Sequence, residues 1–100
     1  MHPVIRSHRE ESIALCKKHG IERLCVVGSL ARGDDRPDSD ADLLYRFHRG
    51  EGPGWSIVRV EDDFAALLGR PVDLIPERAL NQRWREYLSE YLEVVHDEAA

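Results

Sequence analysis

The chain has 100 residues, with 14 Lys and Arg against 19 Asp and Glu, a formal net charge of −5 and 42% hydrophobic residues. That length supports one hydrophobic core, so a single domain over residues 1–100 is expected, and the hydrophobic fraction argues against disorder. The acidic balance and scattered basic residues disfavour unaided nucleic-acid binding, and no apolar run approaches the roughly 18–20 residues that a bilayer span needs.

In chain order, residues 3–19 read as a first helix. Pro3 suits its first turn, Ile13 and Cys16 share a face, Lys17, Lys18 and His19 complement the C-terminal dipole, and Gly20 ends it. The start of the chain lacks the apolar stretch of a secretory signal, so a cytoplasmic location with reduced thiols is expected. Cys16 and Cys25 form neither a CxxC pair nor part of a zinc set, and both read as small core residues. Leu24 to Val27 is short, apolar and rich in valine, which suits a buried strand closed by Gly28. Residues 28–39 form a polar connection to a second strand, Ala41 to Phe47, and the glycine-rich residues 50–54 form a loop. From Trp55 to Leu68, the residues Ile57, Val60, Phe64, Leu67 and Leu68 recur at steps of three and four, one face of an amphipathic helix that stops at Gly69.

Pro71 to Ile75 reads as a third strand, ended by Pro76. A last helix follows, with Leu80, Trp84, Leu88 and Tyr91 on one stripe; core packing explains it more simply than an aromatic face that includes Tyr87 and meets a partner. The histidines, His2, His8, His19, His48 and His96, show no helical i,i+4 pair and no nearby Cys, so they read as surface residues and not as zinc ligands. The order of elements gives an α/β (α+β) layer fold with helices packed on a small sheet.

Chemistry concentrates between Gly28 and Asp42. Asp34, Asp35, Asp38, Asp40 and Asp42 fall within nine positions. A solvated acidic loop, neutralised locally by Arg32 and Arg36, accounts for the first three. Asp40 and Asp42 differ, because two residues apart at the mouth of an apolar strand they face the same side and repel. A divalent cation resolves that conflict, and hard carboxylate oxygens favour Mg²⁺, which takes one or two carboxylates plus substrate phosphates. The Asp38-x-Asp40-x-Asp42 spacing opens like an EF-hand calcium loop but continues with Leu43 where glycine belongs and Arg49 where the bidentate Glu belongs, so that motif is rejected. Gly28 and Ser29 offer a backbone approach and a hydroxyl to a phosphate, although Gly-Ser is also a common turn dipeptide. Asp73, in an apolar strand, fits equally well a strand-end carboxylate facing water or a member of the site. Arg32 either pairs with a neighbouring Asp or offsets phosphate charge.

Taken together, Gly28-Ser29-x-Ala31-Arg32-Gly33, then Ser39-Asp40-x-Asp42-Leu43, and later Leu68-Gly69-Arg70-x-Val72-Asp73-Leu74 resemble the motifs of the minimal nucleotidyltransferases of the DNA polymerase beta superfamily. Within it, the likeness is to the MntA-type antitoxins that pair with a HEPN-domain toxin. The likeness covers nearly the whole chain, without departure at the motif positions; residues 47–55 and the C-terminal helix carry no matching motif. The resemblance implies a mixed sheet, ATP as substrate, and transfer of AMP to a toxin tyrosine with pyrophosphate leaving. It also implies that Asp40 and Asp42 hold two Mg²⁺ ions, that Asp73 completes the metal site and takes part in catalysis, and that Gly28, Ser29 and Arg32 bind the nucleotide. The expected partner is the HEPN toxin in a hetero-oligomer. An alternative is a non-catalytic antitoxin that neutralises its toxin by binding alone; transfer to a small molecule such as an aminoglycoside is less consistent with a chain that leaves no room for a drug-holding domain.

Overall fold

A computed structural model describes residues 2–48 and 56–98. The helix expected over residues 3–19 is two helices, α1 (Pro3–Ser7) and α2 (Arg9–His19), separated at His8. Ser7 Oγ donates to the Pro3 carbonyl at 2.6 Å, and His8 N–H donates to Ile5 three residues back instead of four. Such local bonds compete with the helical ladder, which explains the break. Gly20, at φ 74°, closes α2 by donating its N–H to Cys16 O.

The chain then enters β1 (Ile21–Val27), three residues earlier than the apolar run suggests. Its extra residues include Glu22 and Arg23, whose charge obscures the strand in the sequence. Both find partners across the sheet: Arg46 Nε lies 2.9 Å from Glu22, and Arg23 reaches Glu77 at 3.4 Å and Asp97 at 3.3 Å. Glu77 also meets Arg46 Nη1 at 3.3 Å, so one carboxylate serves two strands.

Within the polar connection lies an unexpected short helix, α3 (Gly28–Arg32), followed by β2 (Ala41–Phe47), whose bounds match its apolar alternation. The amphipathic helix is α4 (Ser56–Leu68), and the third strand is β3 (Val72–Pro76). The strand is shifted by one residue from the expected 71–75, and Pro76 is its last residue; β3 is an edge strand, where a missing N–H costs no ladder bond on the outer side. The expected glycine-rich loop at 50–54, and Trp55, lie outside the described residues.

After a 3-10 turn (Glu77–Ala79) comes α5 (Gln82–Ser89), and the C-terminal helical stretch gives way to β4 (Glu93–Asp97). This strand has only Val94 and Val95 as apolar residues, too little alternation to read from sequence, but β1 provides its ladder. The sheet order is β3-β2-β1-β4, with β2 and β3 parallel and the other neighbours antiparallel, a mixed sheet as expected.

One sheet face carries Leu24, Val26, Leu43, Tyr45, Leu74 and Val95 against Ile5, Cys16, Val60, Phe64 and Leu68 of the helices. The other buries Cys25, Val27 and Leu44 beneath Ile75, Leu80 and Leu92. Both cysteines are buried and free, and burial, with a lesser push from Glu98, raises the Cys16 thiol to about 12, so it stays protonated and inert. No helix among the described residues is long and apolar enough to cross a membrane.

Phe64 is fully buried where α4 meets the sheet, whereas Val58 on the same helix is 60% exposed. Urea unfolding should show Phe64→Ala losing about 3–5 kcal/mol of stability and Val58→Ala changing it by no more than about 0.5 kcal/mol.

Candidate active site

Val27, the last residue of β1, is the register partner of Asp42 on β2, and Asp42 is the register partner of Asp73 on β3. Parallel partners present their side chains on the same face, so the two carboxylates stand side by side. Asp40 lies one residue before β2, where the ladder is begun by Ala41 N–H donating to Pro71 O at 2.8 Å. Asp40 and Asp73 are exposed, and Asp42 is half-buried between them.

Gly28 follows Val27 with φ 71°, and a Cβ there would come within 2.5 Å of Asp42 Oδ2. Glycine is therefore required on two counts, by its backbone conformation and by the carboxylate lying against it. It also opens α3, so Ser29 sits in the first turn of that helix, where backbone N–H groups lack helical acceptors. At the far end of α3, Gly33 and Asp34 donate to the Ser29 carbonyl at 2.9 and 3.2 Å, fixing the turn. Arg32 bridges to Asp34 at 3.1 Å, its guanidinium lies 6.0 Å from the Tyr91 ring centre, and its charge also acts on Asp42. The neighbour-pairing reading of Arg32 is thus present in its contact with Asp34.

Burial raises the Asp42 carboxyl above the usual carboxylate range, and the charges of Asp73 and then Asp40 raise it further, with Arg32 opposing them. Among the described residues no group of three His, Cys, Asp or Glu side chains is placed to hold a metal ion by itself. The charges of Asp73 and Asp40 act on Asp42, and a divalent cation that took part of its oxygen shell from substrate phosphates would relieve that repulsion, which is the donor chemistry of magnesium.

A cavity of about 570 Å³ is lined in part by Gly28, Ser29, Arg32 and Asp42; Asp40 and Asp73 are not in its wall. Its remaining wall, Val27, Ile75, Ala79, Leu80 and Trp84, was not marked by sequence motifs. The core-packing expectation for the C-terminal stripe fails at Trp84 and Tyr91, which are 54% and 40% exposed. The Tyr87 and Leu88 side chains lie outside the described ones. The break at Pro76 was the available signal, since a chain that turns there must cross the open sheet face.

Two other expectations are corrected. Asp35 is not a solvated loop residue: it receives Arg70 at 3.1 Å and His2 at 2.9 Å. Partial burial alone would raise its pKa, but those two bonds together hold it below the usual carboxylate value. It ties the motif-bearing loop to α1 and to the approach to β3. His2, His19 and His96 are likewise mostly covered, with His19 bonded to Asp63 at 2.7 Å, because the helices that carry or face them close over the sheet edge.

The motif of a nucleotidyltransferase domain matches residues 9–95, from the start of α2 into β4. The chain belongs to that family. This nucleotidyltransferase domain is 33% identical over 78 residues to the protein adenylyltransferase MntA of Thermococcus cleftensis, covering 77% of this chain and 74% of the relative. A solved structure described as a minimal nucleotidyltransferase superposes with a TM-score of 0.77 at 38% identity, covering 93% of this chain and 95% of that one. The MNT antitoxin fold in a complex with the tri-AMPylated Shewanella oneidensis HEPN toxin matches at a TM-score of 0.61 and 14% identity, covering 92% and 71%, a likeness of fold. The chain is accordingly an enzyme of the nucleotidyltransferase class.

The crowding has a measurable signature. The folded chain holds the Asp42 proton more tightly than the unfolded chain, so stability falls as pH rises through that titration. Asp42→Asn should therefore melt higher than wild type without metal near pH 7, the gain vanishing as pH falls below about 4. Gly28→Ala should do the reverse, losing more than about 1 kcal/mol in chemical unfolding from its left-handed backbone and the clash with Asp42.

Proposed function

We propose that this chain is a Mg²⁺-dependent protein adenylyltransferase, the antitoxin of a HEPN/MNT toxin–antitoxin pair, which moves AMP from ATP to a tyrosine hydroxyl of its HEPN toxin in the cytoplasm. The observation that carries the reading is the adjacency of Asp42 and Asp73 in register, with Gly28 packed against Asp42 and both Gly28 and Asp42 lining one cavity. The MntA relative and the antitoxin fold seen with a HEPN toxin support the choice of acceptor.

In this reading Asp40 and Asp42 would hold two magnesium ions, and Asp73 would complete the site. Magnesium bound there would neutralise the phosphates and ease ionisation of the attacking phenol. Ser29 and the first-turn N–H groups of α3 receive phosphate oxygens, and Arg32 adds positive charge where pyrophosphate departs. The tyrosine oxygen attacks the α-phosphorus, the bond to the β-phosphate bridging oxygen breaks, and pyrophosphate leaves in line. Asp73, on the exposed side of the trio, accepts the phenolic proton. The chain's own contribution is position and charge, the usual division of labour in phosphoryl and nucleotidyl transfer.

Incubation with Mg-ATP and the toxin, followed by intact-mass measurement of the toxin, should show added AMP. Asp42→Asn and Asp73→Asn should each slow that addition by about two to three orders of magnitude while still binding the toxin. An undiminished adduct with either variant would overturn these assignments, and full neutralisation without an adduct would favour the purely occluding antitoxin.

A further inference from the structure

The cavity is lined by two chemically different sets of residues. Gly28, Ser29, Arg32 and Asp42 form the polar set; Ile75, Ala79, Leu80 and Trp84 form the set that is apolar or aromatic. Trp84 presents a large aromatic surface that is 54% exposed. Its place is nonetheless fixed. The Asn81 side chain accepts the Trp84 N–H at 3.0 Å and the Asn81 carbonyl accepts Arg85 N–H at 3.1 Å, so the first turn of α5 is capped under it. The 3-10 turn that carries Ala79 is held by Glu77, which meets both Arg23 and Arg46.

We infer that Trp84, with Leu80, Ala79 and Ile75, is the stacking shelf for the nucleobase, and that the site accepts adenine and guanine nucleotides with little discrimination. The inference rests on the proposed binding of a triphosphate at the carboxylate end. A nucleotide anchored there must run its ribose and base along the cavity, and the volume of about 570 Å³ lies within the range of small-molecule sites. Stacking on an indole depends on the area of the base and not on its edge pattern. Ile75, Ala79 and Leu80 carry no side-chain hydrogen-bonding atom, and the single indole N–H cannot separate two purines that both offer N7 as an acceptor. Pyrimidines, with one ring, cover less of the shelf.

Calorimetric titration of the full chain with Mg²⁺ and ATP, GTP, CTP or inorganic tripolyphosphate tests this. ATP and GTP should bind within about threefold of each other and CTP more weakly. Trp84→Ala should weaken ATP and GTP by about tenfold or more and leave tripolyphosphate unchanged, which also reports that the variant is folded. Trp84→Phe should restore most of the loss, and Trp84→Leu, apolar but not aromatic, should not. Wild type binding tripolyphosphate as tightly as ATP, unchanged ATP affinity in Trp84→Ala, or strong preference for one purine would each overturn the shelf while leaving the carboxylate site standing. Failure of wild type to bind any of the four would overturn both.

Discussion

Everything at this site depends on the parallel register that sets Asp42 beside Asp73. A carboxylate pair on adjacent strands is unfavourable in the bare chain, and the repulsion is felt most at Asp42 because it is the most covered of the three acidic groups. The sheet tolerates this because its opposite face is tightly filled by α2 and α4, so the cost falls on a strand that cannot move away. Crowded charge on a rigid frame is a suitable receptor for a cation and polyphosphate, since little reorganisation remains when they arrive.

The two faces of the sheet divide the work. Helices seal the first with a continuous apolar core, while on the second, among the described residues, Leu80 and Leu92 from the segment after β3 cover Cys25, Val27 and Leu44. That sparse roof leaves the cavity and makes its wall from residues far along the chain. β4 then returns to pair with β1, closing the order β3-β2-β1-β4 and keeping the roof segment attached at both ends.

Much of this was legible beforehand because local chemistry and global position agree at β2, α4 and the Gly28–Asp42 segment. Ala41 to Phe47 is a short, largely apolar run with Leu44 buried on the second face, and the α4 stripe is long enough to declare its period. Glu22 and Arg23 hid the start of β1 because ion pairs across strands leave no trace in a hydrophobic pattern. Glu93 to Asp97 was hidden for a related reason: a five-residue edge strand owes its existence to its neighbour, not to its own composition. Among site residues, the acidic trio and Gly28 stand in recognisable motifs, whereas Trp84 reaches the cavity only through the turn after Pro76, a tertiary event. Asp35 read as solvated because Arg70 and His2 approach it from distant parts of the sequence.

Glu77 has an implication for how sequences of this kind can drift. It sits between Arg23 and Arg46, both partly covered, and it fastens the turn beneath the cavity wall. Glu22 and Asp97 also hold Arg46 and Arg23, so losing the acid would leave each guanidinium one carboxylate and would release the turn from the sheet. Drift at position 77 would therefore be felt in the shape of the pocket roof before it is felt in the charge balance of the strands.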